Sequence, residues 1–259
     1  NRLEASDFVV STNTVSSTVW SQFSPSLNSY FSSSVQKEGV SGPYYLNVYQ
    51  TASNVDAAEI QFAIAYGNST GGGGVLFDAN VANVTSTRVI YGQYRTLLLE
   101  DENAQFVFGS SFTGSDFYAL SIERARYKQN ILPGTWTMNI SGTTGVGDML
   151  YLTDDSKANT VTTFTDAGRV YNIVSGSAGE VNQTVNTSGW TANSGSYGWL
   201  LPDIDLLLLN GEALDGDVAD GGIALATSRS YDTLGNNPFR VIDALRRAGN
   251  FASSNTVGF

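Results

Sequence analysis

Carboxylates are the groups through which this chain could do chemistry, because other common reagents are missing. Its 259 residues include no histidine and no cysteine. That excludes Ser-His-Asp and Cys-His nucleophilic arrangements and the usual zinc sites, leaving carboxylate, Lys or Tyr chemistry. Asp154, Asp155, Asp203, Asp205 and Glu212 are candidates for a glycosidase acid and base, a mechanism that needs two carboxylates at a defined separation in a cleft. With 24 Asp and Glu in the chain, however, pairs arise by number alone, and no motif singles one out. The sequence therefore assigns no catalytic, cofactor-binding or metal residue, and the chain is read as non-enzymatic.

Other constellations reduce to simpler readings. Asp215, Asp217 and Asp220 have acidic spacing reminiscent of a calcium loop, but the twelfth position, where an EF-hand places Glu, is Ala226. An Asp/Gly-rich turn is the expectation there. Glu100-Asp101-Glu102 is weighed as a cation site against a solvated loop, and the loop is favoured. The glycine run in Asn68 to Gly74, NSTGGGG, is followed by Val75-Leu76-Phe77 where a phosphate loop requires Lys-Ser/Thr, so a mobile surface loop is expected. Arg124, Arg126 and Lys128 could dock an acidic surface, with plain solvation the default. The 13 Tyr and 13 Phe could stack on sugar rings, but at strand spacing they are expected in the core.

The elements that must position these groups are mostly strands. Asp116 to Gly142, DFYALSIERARYKQNILPGTWTMNISG, is expected to organise the rest: Tyr118, Leu120 and Ile122 alternate with Ala119, Ser121 and Glu123, and Trp136, Met138 and Ile140 alternate with Thr135, Thr137 and Asn139. Two half-buried strands paired as a long hairpin around Pro133-Gly134 are the expectation. YYLNVYQ and AEIQFAIAYG read as a further strand pair, DMLYLTDD as a strand, and TTFTDAGRVYNIVSGS as one strand around Val170, Asn172 and Val174. Residues 175 to 198 read as a long loop anchored by Trp190. In YGWLLPDIDLLLLN, Pro202 separates two pieces, and Asp203 and Asp205 would share a face beside the core strand Leu206 to Leu209.

Three helices are expected. Thr87 to Glu100 carries Ile90, Tyr94, Leu97 and Leu98 at helical spacing, with the acids after it opposing the macrodipole. Asn237 to Gly249 has an Asn cap, Pro238 at the first position and a terminal Gly. A short third helix is expected where Trp20, Phe23, Leu27, Tyr30 and Phe31 recur, with Ser24 as its cap and Pro25 following. The fold class is thus mainly β with a few short helices, α+β being the alternative, built of antiparallel sheets with a C-terminal helix. Residues 1–43 form a Ser/Thr-rich N-terminal segment and 44–259 the main β-rich domain.

Composition bounds the partners. Charged residues make up only 14%, and Ser, Thr, Asn and 27 glycines fill the deficit, giving a polar, weakly charged surface that suits packing against neighbours. A net charge of −11 with 13 Lys and Arg argues against nucleic acid. The longest apolar run is far short of a bilayer span, so no membrane partner is expected. The absence of cysteine fits assembly in a reducing cytoplasm. A chain that opens on Asn1 is expected to be a processed product or part of a longer protein.

The segment LSIERARYKQNILPGTWTMNISG resembles one found in virion structural proteins of contractile-tailed marine phages, chiefly cyanophages. YYLNVYQ, AEIQFAIAYGNSTGGGG, VIYGQYRTLLL, LTDDSKANTVTTFTDAGRVYNIVSGS and YGWLLPDIDLLLLNGEALD resemble blocks of that family in the same order, while the first 40 residues and the C-terminal helix fit less well. The resemblance implies a non-enzymatic virion component of the tail or baseplate, located in the virion, whose partners are other virion proteins in homo- and hetero-oligomeric assembly. It supplies no site residues and no cofactor. A receptor- or glycan-binding tail protein is the alternative, and a carboxylate glycosidase the third reading.

Overall fold

The computed structural model of the chain describes residues 31–33, 45–49, 60–71, 87–109, 112–123, 130–142, 149–159, 163–182, 196–225 and 236–251. Antiparallel strands are the commonest element among them, with a few helices, as the alternating patterns predict. The strands are β1 (Phe31–Ser33), β2 (Tyr45–Tyr49), β3 (Ile60–Asn68), β4 (Phe106–Phe108), β5 (Phe112–Gly114), β6 (Asp116–Ile122), β7 (Met138–Ser141), β8 (Met149–Asp154), β9 (Thr163–Thr165), β10 (Gly168–Ser177), β11 (Glu180–Val181), β12 (Gly198–Leu201) and β13 (Leu206–Asn210). The helices are α1 (Thr87–Leu99), α2 (Gly211–Asp215) and α3 (Asn236–Phe251). The main sheet runs β1-β2-β3-β6-β13-β12-β10-β8-β7, with β9 and β11 also on β10, and β4 pairs with β5 separately.

The sheet curls around α3. This helix packs against β7 and also against β3 and β2, near the opposite edge. Six strand spacings separate β3 from β7, and the five strands between them approach α3 less closely than those two do. The sheet therefore bends, and its concave face closes on Val241, Ile242, Ala244 and Leu245 of α3. Phe62 and Ile64 of β3, Tyr118 and Leu120 of β6, Met138 and Ile140 of β7, and Leu207 and Leu209 of β13 line that face. The alternate residues point outward. Phe117 and Ala119 of β6 and Leu206 and Leu208 of β13 pack beneath Ile90, Tyr91 and Leu98 of α1 and Phe106 and Phe108 of β4.

Coverage on both faces explains β13, whose five residues LLLLN are all buried, the continuous apolar run of a strand with no solvent side. It also corrects the reading of β6, which is buried at every position but Ser121 and is not half-exposed. Nor does β6 form a hairpin with β7. It lies between β3 and β13, with Leu120 opposite both Ile64 and Leu207, while β7 pairs with β8 through Met138 opposite Leu152. The physical reason is that β6 needs an apolar strand on each side, and the polar β7 segment supplies only one apolar face.

Four local expectations also change. Residues 163–177 make a hairpin of β9 and β10 turning at Asp166-Ala167, where one strand was expected. Residues 175–182 are strand and turn, with β10 folding back onto β11, so no loop starts at 175. Asn237 and Gly249 lie inside α3, and the Asn237 Oδ1 atom accepts from Arg240 Nη1 at 3.1 Å. Phe31, expected in a helix, is in β1 opposite Val48. Serines are poor helix formers, and β2 offers an open edge that the segment extends. The rest of that helix, the cations Arg124, Arg126 and Lys128, Gly72 to Gly74 and Trp190 lie outside the described residues. No described helix is long and apolar enough to cross a membrane.

Candidate functional site

The five carboxylates picked out by type are held apart, each fastening a different part of the chain. Asp154 ends β8 and is fully buried; its two oxygens accept from Gly134 N at 2.9 and 2.8 Å, and Oδ1 also accepts from Ser156 N at 3.0 Å. Gly134 has φ +80, and the backbone of Gly179 passes close to it. A charge-assisted acceptor thus pins a turn that only glycine enters without strain. Thr153 completes the corner, donating to Trp136 O at 2.8 Å and accepting from Gly179 N at 2.7 Å.

Asp155 follows directly but turns to the neighbouring strand. Its Oδ1 accepts from Asn172 N at 2.9 Å and its Oδ2 from Asn172 Nδ2 at 3.0 Å. Burial pushes its carboxyl above the usual range, and the hydrogen bonds from Asn172 and Asn159 oppose that shift. Two adjacent carboxylates therefore serve a turn and a strand and do not face one another across a cleft.

Asp203 and Asp205 sit in the turn between β12 and β13 rather than in an extended strand, so the expected shared face does not exist. Asp203 accepts from Arg169 N at 2.8 Å and from Arg169 Nη2 at 2.6 Å. Hydrogen bonding to that guanidinium holds its carboxyl below the usual range. Asp205 has φ +58, a left-handed conformation that Asp tolerates better than most residues, and its Oδ1 accepts from Ile131 N at 3.2 Å. Asp215, Asp217 and Asp220 lie at the end of α2 and in the 3₁₀ turn Val218–Asp220, closed by Gly221 at φ +80. Among the described residues no three acidic side chains are grouped to hold a metal ion.

A further buried polar cluster centres on Asp116, which the sequence marked only as the end of a segment. Asp116 is 1% exposed, and Tyr66 Oη donates to its Oδ2 at 2.8 Å, while Asn68 Nδ2 donates to Tyr66 Oη at 3.1 Å. The register of β3 and β6 brings them together by setting Tyr66 opposite Tyr118 and Asn68 opposite Asp116. Its carboxylate lies against Gly211, in the space where a side chain would start. Beside it, Ser115 Oγ donates to Glu212 Oε1 at 3.0 Å, and Asn210 Oδ1 caps α2 by accepting from Glu212 N at 3.1 Å. Asn68 Oδ1 also holds the turn after β3, accepting from Thr70 N at 2.9 Å. The phenol and carboxylate form an acid–base pair in type, but one closed over by α2 and the strand ends, an arrangement suited to locking the end of the sheet.

Large apolar side chains remain on the surface, with Phe164 of β9 69% exposed and Leu132 61% exposed. Compared with known proteins, the chain matches no family model, no curated protein and no solved structure.

Proposed function

We propose that this chain is a non-enzymatic structural subunit of a contractile-tailed phage virion, in its tail or baseplate, working through interfaces with other virion proteins. The observation that carries the reading is the use of the carboxylates. Asp154, Asp155, Asp203 and Asp205 hold backbone amides and Glu212 holds a hydroxyl, so the groups suited to catalysis are engaged in fastening turns and strand ends. Such staples make a rigid body. The weakly charged surface and the exposed Phe164 and Leu132 suit contact with neighbouring subunits, and the resemblance of the sequence blocks to those of cyanophage virion proteins suggests the context.

The test is a reconstruction of the intact particle that carries this chain. The expected result is density for the curled sheet and its enclosed helix, repeated with the symmetry of the tail or baseplate. Mature particles lacking the chain, or turnover of a polysaccharide that is lost on Asp154→Asn, would overturn the reading.

A further inference from the structure

The outer face of α1 is built against the rules that govern an isolated helix. Arg88 is exposed in the first turn, where the positive end of the macrodipole disfavours a cation, and the exposed Glu100, Asp101 and Glu102 follow the last turn, where the negative end disfavours acids. Glu100 adopts φ +49, the left-handed position that helix ends commonly give to glycine. Among the described residues, none of Arg88, Arg95, Glu100, Asp101 or Glu102 makes an ion pair. Arg95 lies over the Tyr91 ring at 5.8 Å, with its buried Nε unbonded.

A second observation is steric. Gly92 sits mid-helix, where glycine costs about 1 kcal/mol relative to alanine, yet among the described residues a Cβ there would meet nothing within 4 Å beyond the helix's own backbone. Arg88, Gly92, Thr96 and Glu100 recur at steps of four and form one ridge. Its charges are positive at one end and negative at the other, with small residues between. Such a ridge complements itself when turned end for end.

We propose that this ridge of α1 docks on the same ridge of a second copy of this chain, the two helices antiparallel about an axis near residue 94. That geometry sets Arg88 of each copy against Glu100 of the other and Gly92 against Thr96, so the backbones approach where side chains are smallest. Both wrong-signed helix ends gain an opposite charge, and the two dipoles run antiparallel. One helix face is small for a stable dimer, which buries about 1,200 Å² or more in total. The exposed Leu97 of α1, Val107 of β4 and Phe164 of β9 extend it, since β4 packs on α1 and Asp166 N bonds to Leu98 O. The contact is isologous and closed. It follows from α1 and the exposed residues beside it and does not depend on the virion reading.

Sedimentation equilibrium of the full chain tests it, at concentrations up to about 100 μM, where even a micromolar dimer is populated. The expected result is twice the chain mass. Arg88→Glu with Arg95→Glu, or Glu100→Lys with Glu102→Lys, each weakens association at least about tenfold by placing like charges at both contacts. An equimolar mixture of the two variants restores the dimer, because every contact in the mixed pair is again opposite in sign. Gly92→Gln has room within the monomer and leaves its far-ultraviolet dichroism unchanged while weakening association. A monomeric wild type overturns the proposal, as does association indifferent to the charge reversals or a mixture that stays monomeric.

Discussion

The corner around Asp154 and the outer face of α1 both carry charge, and they dispose of it in opposite ways. At the corner, Asp154 and Asp155 are buried, and their oxygens accept amide hydrogens from Gly134, Ser156 and Asn172. On α1, Arg88 and the acids at 100–102 are exposed and form no ion pair among the described residues. A buried charge must be met by hydrogen bonds or the fold loses several kcal/mol, whereas an exposed one costs little and is available to another molecule. In this chain the first kind of charge makes the shape and the second kind presents it.

The largest expected effect breaks the corner. Asp154→Ala strands the amides of Gly134 and Ser156 in a buried site, at a cost of about 3 kcal/mol read from the urea midpoint of unfolding. Arg88→Ala on α1, measured on dilute monomer, changes stability by less than about 0.5 kcal/mol. Equal losses at the two sites would erase the distinction between them.

A smaller effect sharpens the comparison through pH. Arg169 holds the Asp203 carboxyl below its usual range, so the stability that Asp203 contributes is present above its unfolded pKa and is lost as pH falls through the depressed folded value. Both partners are about a third exposed, and solvent screening keeps the contribution below about 1 kcal/mol. Asp155 has the opposite sign. Burial raises its pKa, so the folded state holds its proton longer, and stability from this group falls as pH rises from the unfolded value through the raised one. Urea midpoints from pH 2.5 to 6 should show Asp203→Asn removing a loss on acidification and Asp155→Asn removing a loss on the way up. The same slope change from both variants would contradict the two environments.

What the sequence disclosed depended on whether the physical cause was local. Alternation in AEIQFAIAYG, the helical period of residues 87–99 and the Pro238 start signal are properties of short windows, and β3, α1 and α3 stand where those windows put them. The partner of β6 is not a local property. DFYALSI alternates well enough to suggest one buried face, and only its place between β3 and β13, under α1 and over α3, buries both. The Asp116 cluster was hidden for the same reason: Tyr66 and Asp116 are 50 residues apart and meet only through the β3–β6 register. Asp203 and Asp205 were misplaced because the period of two was carried past Pro202 into a turn, where it has no meaning.

A gain in stability is expected at Gly92, where the other substitutions give losses. Gly67 and Gly114 have the rings of Phe117 and Phe108 in the space a side chain would take, so their lack of one is explained inside the chain. Gly92 has open space there and a helical backbone that any residue adopts. Gly92→Ala should therefore stabilise the dilute monomer by about 0.5–1 kcal/mol, seen as a higher urea midpoint with an unchanged slope, because alanine loses less backbone entropy on entering a helix. A lower midpoint would mean that this face of α1 is already covered by the chain's own residues, and Gly92 would join Gly67 and Gly114 as a glycine required by packing within the monomer.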